Sequence, residues 1–314
     1  MASDTTPLLP QSSREPQAPQ GDSHPITLRA CHSPWRAINQ KTLFGGRFAI
    51  TAYLASVVGV ALKYKLERED VHSGWRIPFE FSSVSLLVQF LYHLVTLAWT
   101  GVHTFQPTSA EPDEDSESST VGAFFSRLLS PPNRVSNLEH FIFSMLYTVS
   151  HVFPWLNGIM YWSVLVPSGH GGFKIPKFPH HHHDVGNSTG VFYDPNKGLF
   201  EEDDIKAFSI LNIWSITAII AFVEVAFLNS IRRQSPVVGH VIGTLVAGGL
   251  YLAWAGIGKL ATNHWGLFFL DPELMGNSTG AAVAAAGGFL LAAPIVFTYM
   301  QGLIVMREAL TATR

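Results

Sequence analysis

Cysteine is almost absent from this chain, charge is sparse, and no stretch repeats. The one cysteine, Cys31, excludes an intrachain disulfide and a thiolate metal cage. Only 14% of residues are charged, the formal net charge is −3, and no Lys/Arg stripe is present, which excludes nucleic acid as a partner. There is no internal repeat of transporter type and no heptad pattern. No basic segment leading into a short apolar core precedes the first long apolar run. A cleavable signal peptide is therefore not expected, and that run is expected to serve as the insertion signal. No cofactor and no dedicated metal site are expected either.

What the chain has is long apolar runs. Its mean hydropathy is a modest +0.21 because the polar residues are gathered into a few segments. Six runs are long enough for a helix to cross about 30 Å of hydrocarbon at about 1.5 Å per residue. They cover 44–62, 82–105, 141–166, 207–229, 236–258 and 281–306, with Pro154 inside the third. The fold class expected is therefore all-α, a polytopic transmembrane bundle of about six spans. Residues 1–43, rich in Pro, Ser, Gln and Thr, are expected to form a disordered cytosolic tail, and 307–314 a short cytosolic one. Small residues in the sixth span, and Gly239 and Gly243 in the fifth, predict close helix packing.

The stretch from Ala207 to Asp271 organises the rest. Two apolar runs are joined by SIRRQSP, which puts Arg232 and Arg233 at headgroup level and Pro236 at the opening of the fifth span. Of the 20 Lys and Arg, eleven fall on the side bearing both termini and nine on the other, which weakly favours termini in the cytosol. Both glycosylation sequons, at Asn187 and Asn277, fall on the opposite, lumenal side.

Outside the spans, DTTPLL (Asp4 to Leu9) has the acid and paired Leu8 and Leu9 of a dileucine sorting signal read by cytosolic adaptors. The acidic loop containing EPDEDSESS reads as a solvated linker. The lumenal loop carries His170, His180 to His183 and Asp184. Four consecutive imidazoles cannot all face one ion, so weak, adventitious metal binding is the expectation.

Polar residues inside the spans carry the functional information. Glu224 lies in the fourth span, where a carboxylate is costly unless it has a partner or a task. His240, on the next helix at similar depth, is its expected partner, and such a pair serves catalysis, proton transfer or mutual satisfaction equally well. His93 and His151 lie near mid-span, and Thr51 lies one to two turns inside the first span. A threonine there commonly bonds back to its own helix.

GGRFAITAYL (Gly45 to Leu54), NIWSITAIIAFVEVAFL (Asn212 to Leu228) and LYLAWAGIGKLATNHWGLFFLDPE (Leu250 to Glu273) resemble the androgen-induced membrane protein family (AIG/FAR/ADTRP-like). The resemblance runs from about Gly45 to Met306. It implies a polytopic endomembrane protein that hydrolyses fatty acid esters of hydroxy fatty acids, with an intramembrane threonine nucleophile and a histidine base. The chain departs from the family at both positions. Ala52 stands where the threonine is expected and Thr51 one residue earlier, while the histidine position holds Trp214 or Ile216, depending on the anchor.

Two functions follow. One is a lipid-ester hydrolase with Thr51 as nucleophile, His240 or His151 as base and Glu224 as orienting acid. The other is a non-enzymatic membrane protein, or a carrier handling protons or metal ions through Glu224 and the His-rich loop. The expected location is an endomembrane, vacuolar or lysosomal by the sorting signal, with the endoplasmic reticulum as alternative.

Overall fold

The computed structural model describes residues 26–68, 74–105, 137–166, 204–233, 236–273, 275 and 277–312. Among these residues there is no strand, and the chain is a bundle of long helices. A short α1 (Ile26–Ala30) precedes α2 (Gln40–Arg68), and α3 (Phe81–Phe105) follows the 3-10 turn Gly74–Phe79. Next comes α4 (Asn137–Met160), extended by a π-helical turn, Tyr161–Leu165. The fourth span is a composite: α5 (Asp204–Leu211), a π-turn (Asn212–Ile216), α6 (Thr217–Val223) and a second π-turn (Glu224–Leu228). Helices α7 (Val237–Thr262) and α8 (Thr279–Ala312) complete the bundle.

Helix starts follow local chemistry. The Asn39 side chain accepts from the Thr42 N–H at 2.8 Å and opens α2, and Ser278 does the same for the Ala281 N–H at 3.2 Å at the start of α8. Pro236 stands in extended conformation just before α7, and Asn263, at φ 59°, closes that helix in the left-handed region.

Five helices are long and apolar enough to cross a membrane: those of the first, second, fourth, fifth and sixth expected spans. The third, α4, is equally long but more polar. It packs against α3, α6, α7 and α8, and nearly its whole C-terminal half is buried. A helix enclosed by protein need not be apolar all round. Outward faces elsewhere carry exposed Phe48, Leu91, Ile219, Leu250, Leu291 and Ile295, as lipid contact requires.

The bundle has two unlike ends. At one, Phe81 meets Tyr251, Phe153 and Phe289 at ring separations of 4.8, 5.1 and 5.1 Å. Trp254 and Tyr251 there donate to the Pro78 and Phe79 carbonyls. The other end holds the first turns of α2, α4 and α7 and the last turns of α3, the fourth span and α8. It is rich in buried polar groups.

Two boundaries shift from expectation. The disordered tail expected over 1–43 gives way to structure from Ile26 onward. Ile26, Ala30 and Cys31 are buried, and Trp35 Nε1 donates to the Ala226 carbonyl at 2.8 Å. At the other terminus α8 continues to Ala312, with Arg307 buried rather than in a tail. The small-residue notch is confirmed at Gly243, where an added Cβ would lie 2.5 Å from Met145 Sδ. Gly239 meets only its own Pro236 and Gly287 and Gly288 meet nothing, so no close crossing is made there.

Candidate intramembrane site

Glu224 opens the second π-turn of the fourth span, and its carboxylate is fully buried. Its Oε1 accepts from Arg47 Nη2 at 2.8 Å and from the Tyr92 hydroxyl at 3.1 Å. Arg47, on α2, is also fully buried. It donates to Thr100 Oγ1 at 2.6 Å, the Thr96 carbonyl at 3.4 Å and the Leu228 carbonyl at 2.9 Å. Two charges withdrawn from water are tolerated only when so partnered, because desolvation otherwise exceeds their attraction.

The same arginine helps close the fourth span. A helix C-terminus leaves carbonyls without intrahelical donors and concentrates negative partial charge. Here nearly every one has a side-chain donor. Val225 and Asn229 carbonyls accept from Arg307 Nη1 at 2.6 and 2.8 Å, and the Ile231 carbonyl accepts from Arg307 Nη2. The Ala226 carbonyl accepts from Trp35, Phe227 from Ser33 Oγ at 2.7 Å, and Leu228 from Arg47. Asn229 Nδ2 returns to the Glu224 carbonyl at 2.8 Å. Segments from both ends of the chain thus converge on residues 224–231.

Beside this pair lie buried polar atoms with no protein partner: Glu224 Oε2, Arg47 Nε, His151 Nε2 and both ring nitrogens of His93. The Tyr92 ring stands 5.4 Å from His93 and 4.9 Å from His151. His151 Nδ1 is 2.6 Å from the Tyr147 carbonyl, which can only accept. The proton therefore sits on Nδ1, and Nε2 presents a lone pair to the interior. Buried polar atoms without partners are rare, and five of the thirteen such side-chain atoms among the described residues are on these four residues.

The four residues singled out from sequence do not form one constellation. Thr51 is buried one turn after Arg47 on the same face of α2. Its hydroxyl donates to the Arg47 carbonyl at 2.8 Å and lies 3.5 Å from the His93 carbonyl. That is the local back-bond expected of a membrane threonine, and Thr96, Thr100, Thr148 and Thr217 repeat it. Glu224 and His151 belong to the cluster around Tyr92. His240 does not, and the expected Glu224–His240 pair is not formed. Both residues lie near the hairpin end of their helices, but the imidazole faces α4, where Nε2 meets Ser144 Oγ at 2.6 Å.

The positions at which the chain departs from the family pattern also have clear surroundings. Ala52 is exposed on the outer face of α2, so a hydroxyl there would point to lipid, whereas Thr51 points inward. Trp214 stacks on Tyr161 at 4.7 Å and Ile216 packs against the Leu54 cluster, both within the first π-turn and about two to three turns before Glu224.

Arg47 and Arg307 are the residues that sequence reasoning missed, having been counted only among the eleven Lys and Arg on the side bearing both termini. For Arg47 the available signal was position inside the first apolar run; Arg307 stands just past the sixth run, and only the structure shows its helix continuing to Ala312. Among the described residues no group of three or more His, Cys, Asp or Glu could hold a metal ion. His170, His180 to His183, Asp184, Asn187, the acidic loop and the Asp4, Leu8 and Leu9 signal lie outside the described residues. Comparison with protein-family models, with curated proteins and with solved structures gives no match.

Proposed function

We propose that this integral membrane protein is an intramembrane lipid-ester hydrolase of the androgen-induced, FAR-like type. Thr51 is its nucleophile and an imidazole of the Tyr92 cluster its base. The observation that supports this reading is that Thr51 Oγ1 lies against the Arg47 and His93 carbonyls, and that these two residues and His151 of the Tyr92 cluster carry buried, unpartnered atoms: a donor at Arg47 Nε and lone pairs at His151 Nε2 and His93. An ester has the complementary needs. Its carbonyl oxygen gains charge as the hydroxyl attacks and requires a donor, and the attacking hydroxyl must lose a proton to a neutral base. His151 suits the second role because Tyr147 fixes its tautomer. Glu224 acts indirectly, holding the Arg47 guanidinium and the Tyr92 hydroxyl in place. His240 is the weaker candidate base, since Ser144 occupies its Nε2. Fatty acid esters of hydroxy fatty acids are the substrate class the resemblance suggests.

A second reading has its own support. The Thr51 hydroxyl is committed to the Arg47 carbonyl, while Glu224 Oε2, His151 Nε2 and both ring nitrogens of His93 have no protein partner. A non-enzymatic protein or a proton carrier would use these titratable groups and be indifferent to Thr51. An endomembrane location, the sorting role of Asp4, Leu8 and Leu9, metal handling by His180 to His183, and glycosylation at Asn187 or Asn277 belong to these proposals rather than to the fold.

The deciding experiment is labelling of the purified protein in nanodiscs with a lipophilic fluorophosphonate, followed by mapping of the modified peptide. An adduct on the Thr51 peptide, absent from Thr51→Ala, supports the hydrolase. If Thr51→Ala leaves ester hydrolysis and labelling unchanged while Glu224→Gln abolishes proton flux into proteoliposomes, the carrier reading replaces it.

A further inference from the structure

The Ser144 hydroxyl departs from the rule that the bundle's buried threonines follow. Thr51, Thr96, Thr100, Thr148 and Thr217 each donate to the carbonyl four residues earlier. Ser144, also buried in a helix, is bonded instead to a ring nitrogen of His240, 96 residues away on α7, at 2.6 Å. The other ring nitrogen, Nδ1, lies 3.2 Å from the Pro236 carbonyl. A carbonyl only accepts, so Nδ1 carries the proton and Nε2 the lone pair, and the Ser144 O–H must be the donor between them.

We propose that Ser144 and His240 form a second nucleophile and base, separate from the Thr51 region, acting on acyl esters at the glycerol level of the membrane. The arrangement meets the geometric demands on an activated hydroxyl: a base within hydrogen-bond reach, itself oriented by a third group, here the Pro236 carbonyl. Two aromatic rings stand near the imidazole. Phe297 lies parallel at a centroid distance of 6.1 Å and Phe141 at 6.0 Å. Gly243, one turn along α7, lets Met145, the neighbour of Ser144, approach without a Cβ between them.

Depth selects the substrate. His240 is in the first turn of α7 and Ser144 in the second turn of α4, so both lie roughly 5–10 Å inside the helix starts. That is the boundary between headgroup and hydrocarbon, where the ester carbonyls of glycerolipids sit. Phe141 is exposed on the outer face of α4 while its ring stands against His240, so the approach to the pair is lateral, from the lipid past one aromatic side chain.

In the reaction Ser144 Oγ bonds to the acyl carbon as its proton passes to His240 Nε2. The ester C–O bond breaks and the departing alcohol takes that proton from His240. Water, deprotonated by the same imidazole, then attacks the acyl-serine, releasing the fatty acid and restoring the Ser144 hydroxyl.

The test uses the full-length protein in phosphatidylcholine nanodiscs, a lipophilic fluorophosphonate and mass-spectrometric mapping, comparing wild type with Thr51→Ala, Ser144→Ala and His240→Gln. The expected adduct is on the Ser144 peptide, undiminished in Thr51→Ala, absent in Ser144→Ala, and formed about 100-fold more slowly in His240→Gln. Because the adduct is mapped, its loss here and the loss of Thr51 reactivity are separate results. Should Ser144→Ala not fold, Ser144→Cys replaces it, and its alkylation by a lipophilic iodoacetamide must slow when His240→Gln is added. A folded wild-type protein without a Ser144 adduct, or one whose labelling ignores His240→Gln, overturns the proposal.

Discussion

Arg47 and Glu224 are 177 residues apart in the chain and 2.8 Å apart in the bundle, both without solvent exposure. Their contact joins the first span to the end of the fourth. With Tyr92, Thr100 and the Leu228 carbonyl also engaged, the pair is a junction of three helices rather than an isolated ion pair.

Removing either partner alone leaves the other charge buried and unpaired, which costs about 3–5 kcal/mol. Arg47→Met and Glu224→Leu are therefore each expected to unfold at markedly lower denaturant in a detergent–SDS titration. The double variant, with no charge left uncompensated, is expected to recover much of that loss. Additive losses in the double variant would show that the two residues act independently.

Arg307 has a different task, since among the described residues its hydrogen bonds go to carbonyls and not to a carboxylate. Its guanidinium collects the Val225, Asn229 and Ile231 carbonyls where the fourth span ends and the chain turns to extended conformation at Asn229. Arg307→Lys keeps the charge but cannot supply a planar fork of donors to several acceptors. Amide exchange in 225–233 is expected to accelerate at least tenfold in that variant, while α3 exchanges as in the wild type. Unchanged protection would mean that Trp35, Ser33 and Arg47 suffice to close the helix.

The span pattern was legible because hydrocarbon thickness fixes helix length, and length and composition are written directly in the chain. Depth was legible too: Glu224 and His240 do lie near the same end. Azimuth was not. Which way a side chain faces depends on how neighbouring helices rotate about their axes, so the expected partner of Glu224 is bonded to Ser144, and Arg47 takes its place. Arg47 and Arg307 were counted among the eleven on the side bearing both termini, and without them the Lys/Arg comparison becomes nine against nine, removing what asymmetry there was. The packing of residues 26–43 was equally invisible, because they were read together with the Pro- and Ser-rich stretch before them, and nothing in ITLRACHSPWRAINQKTL tells that Trp35 reaches the Ala226 carbonyl.

Gly158, on α4, supports the crossing with the fourth span. A Cβ there would lie 2.9 Å from the Trp214 carbonyl oxygen and 3.6 Å from the Ala218 Cβ. Backbone cannot swing aside as a flexible side chain can, so Gly158→Ala is expected to lose about 1–3 kcal/mol. Gly243→Ala meets only the end of Met145 and should lose less. Equal losses in thermal unfolding of the two variants would contradict this assignment of the helix contacts.

Cys31 offers a chemical test of the folded N-terminal segment. Its side chain is fully buried, its Sγ lies 3.3 Å from the Thr27 carbonyl, and burial pushes the thiol from an ordinary 9.0 up to about 12, only partly offset by the nearby Arg47. The thiolate is the reactive form, so at a given pH below 9 the folded protein carries about a thousandfold less of it than an unfolded chain. Maleimide should modify native Cys31 very slowly at pH 7 and rapidly after denaturation, and S-acylation should be blocked in the folded state for the same reason. The neutral thiol's contribution to stability is complete below pH 9 and is lost as pH rises from 9 towards 12, because the unfolded chain ionises first. Cys31→Ser, which replaces the thiol by a group that does not ionise in this range, should remove that part of the alkaline destabilisation. Fast native labelling at pH 7 would place residues 26–43 outside the bundle and return them to the tail that composition suggested.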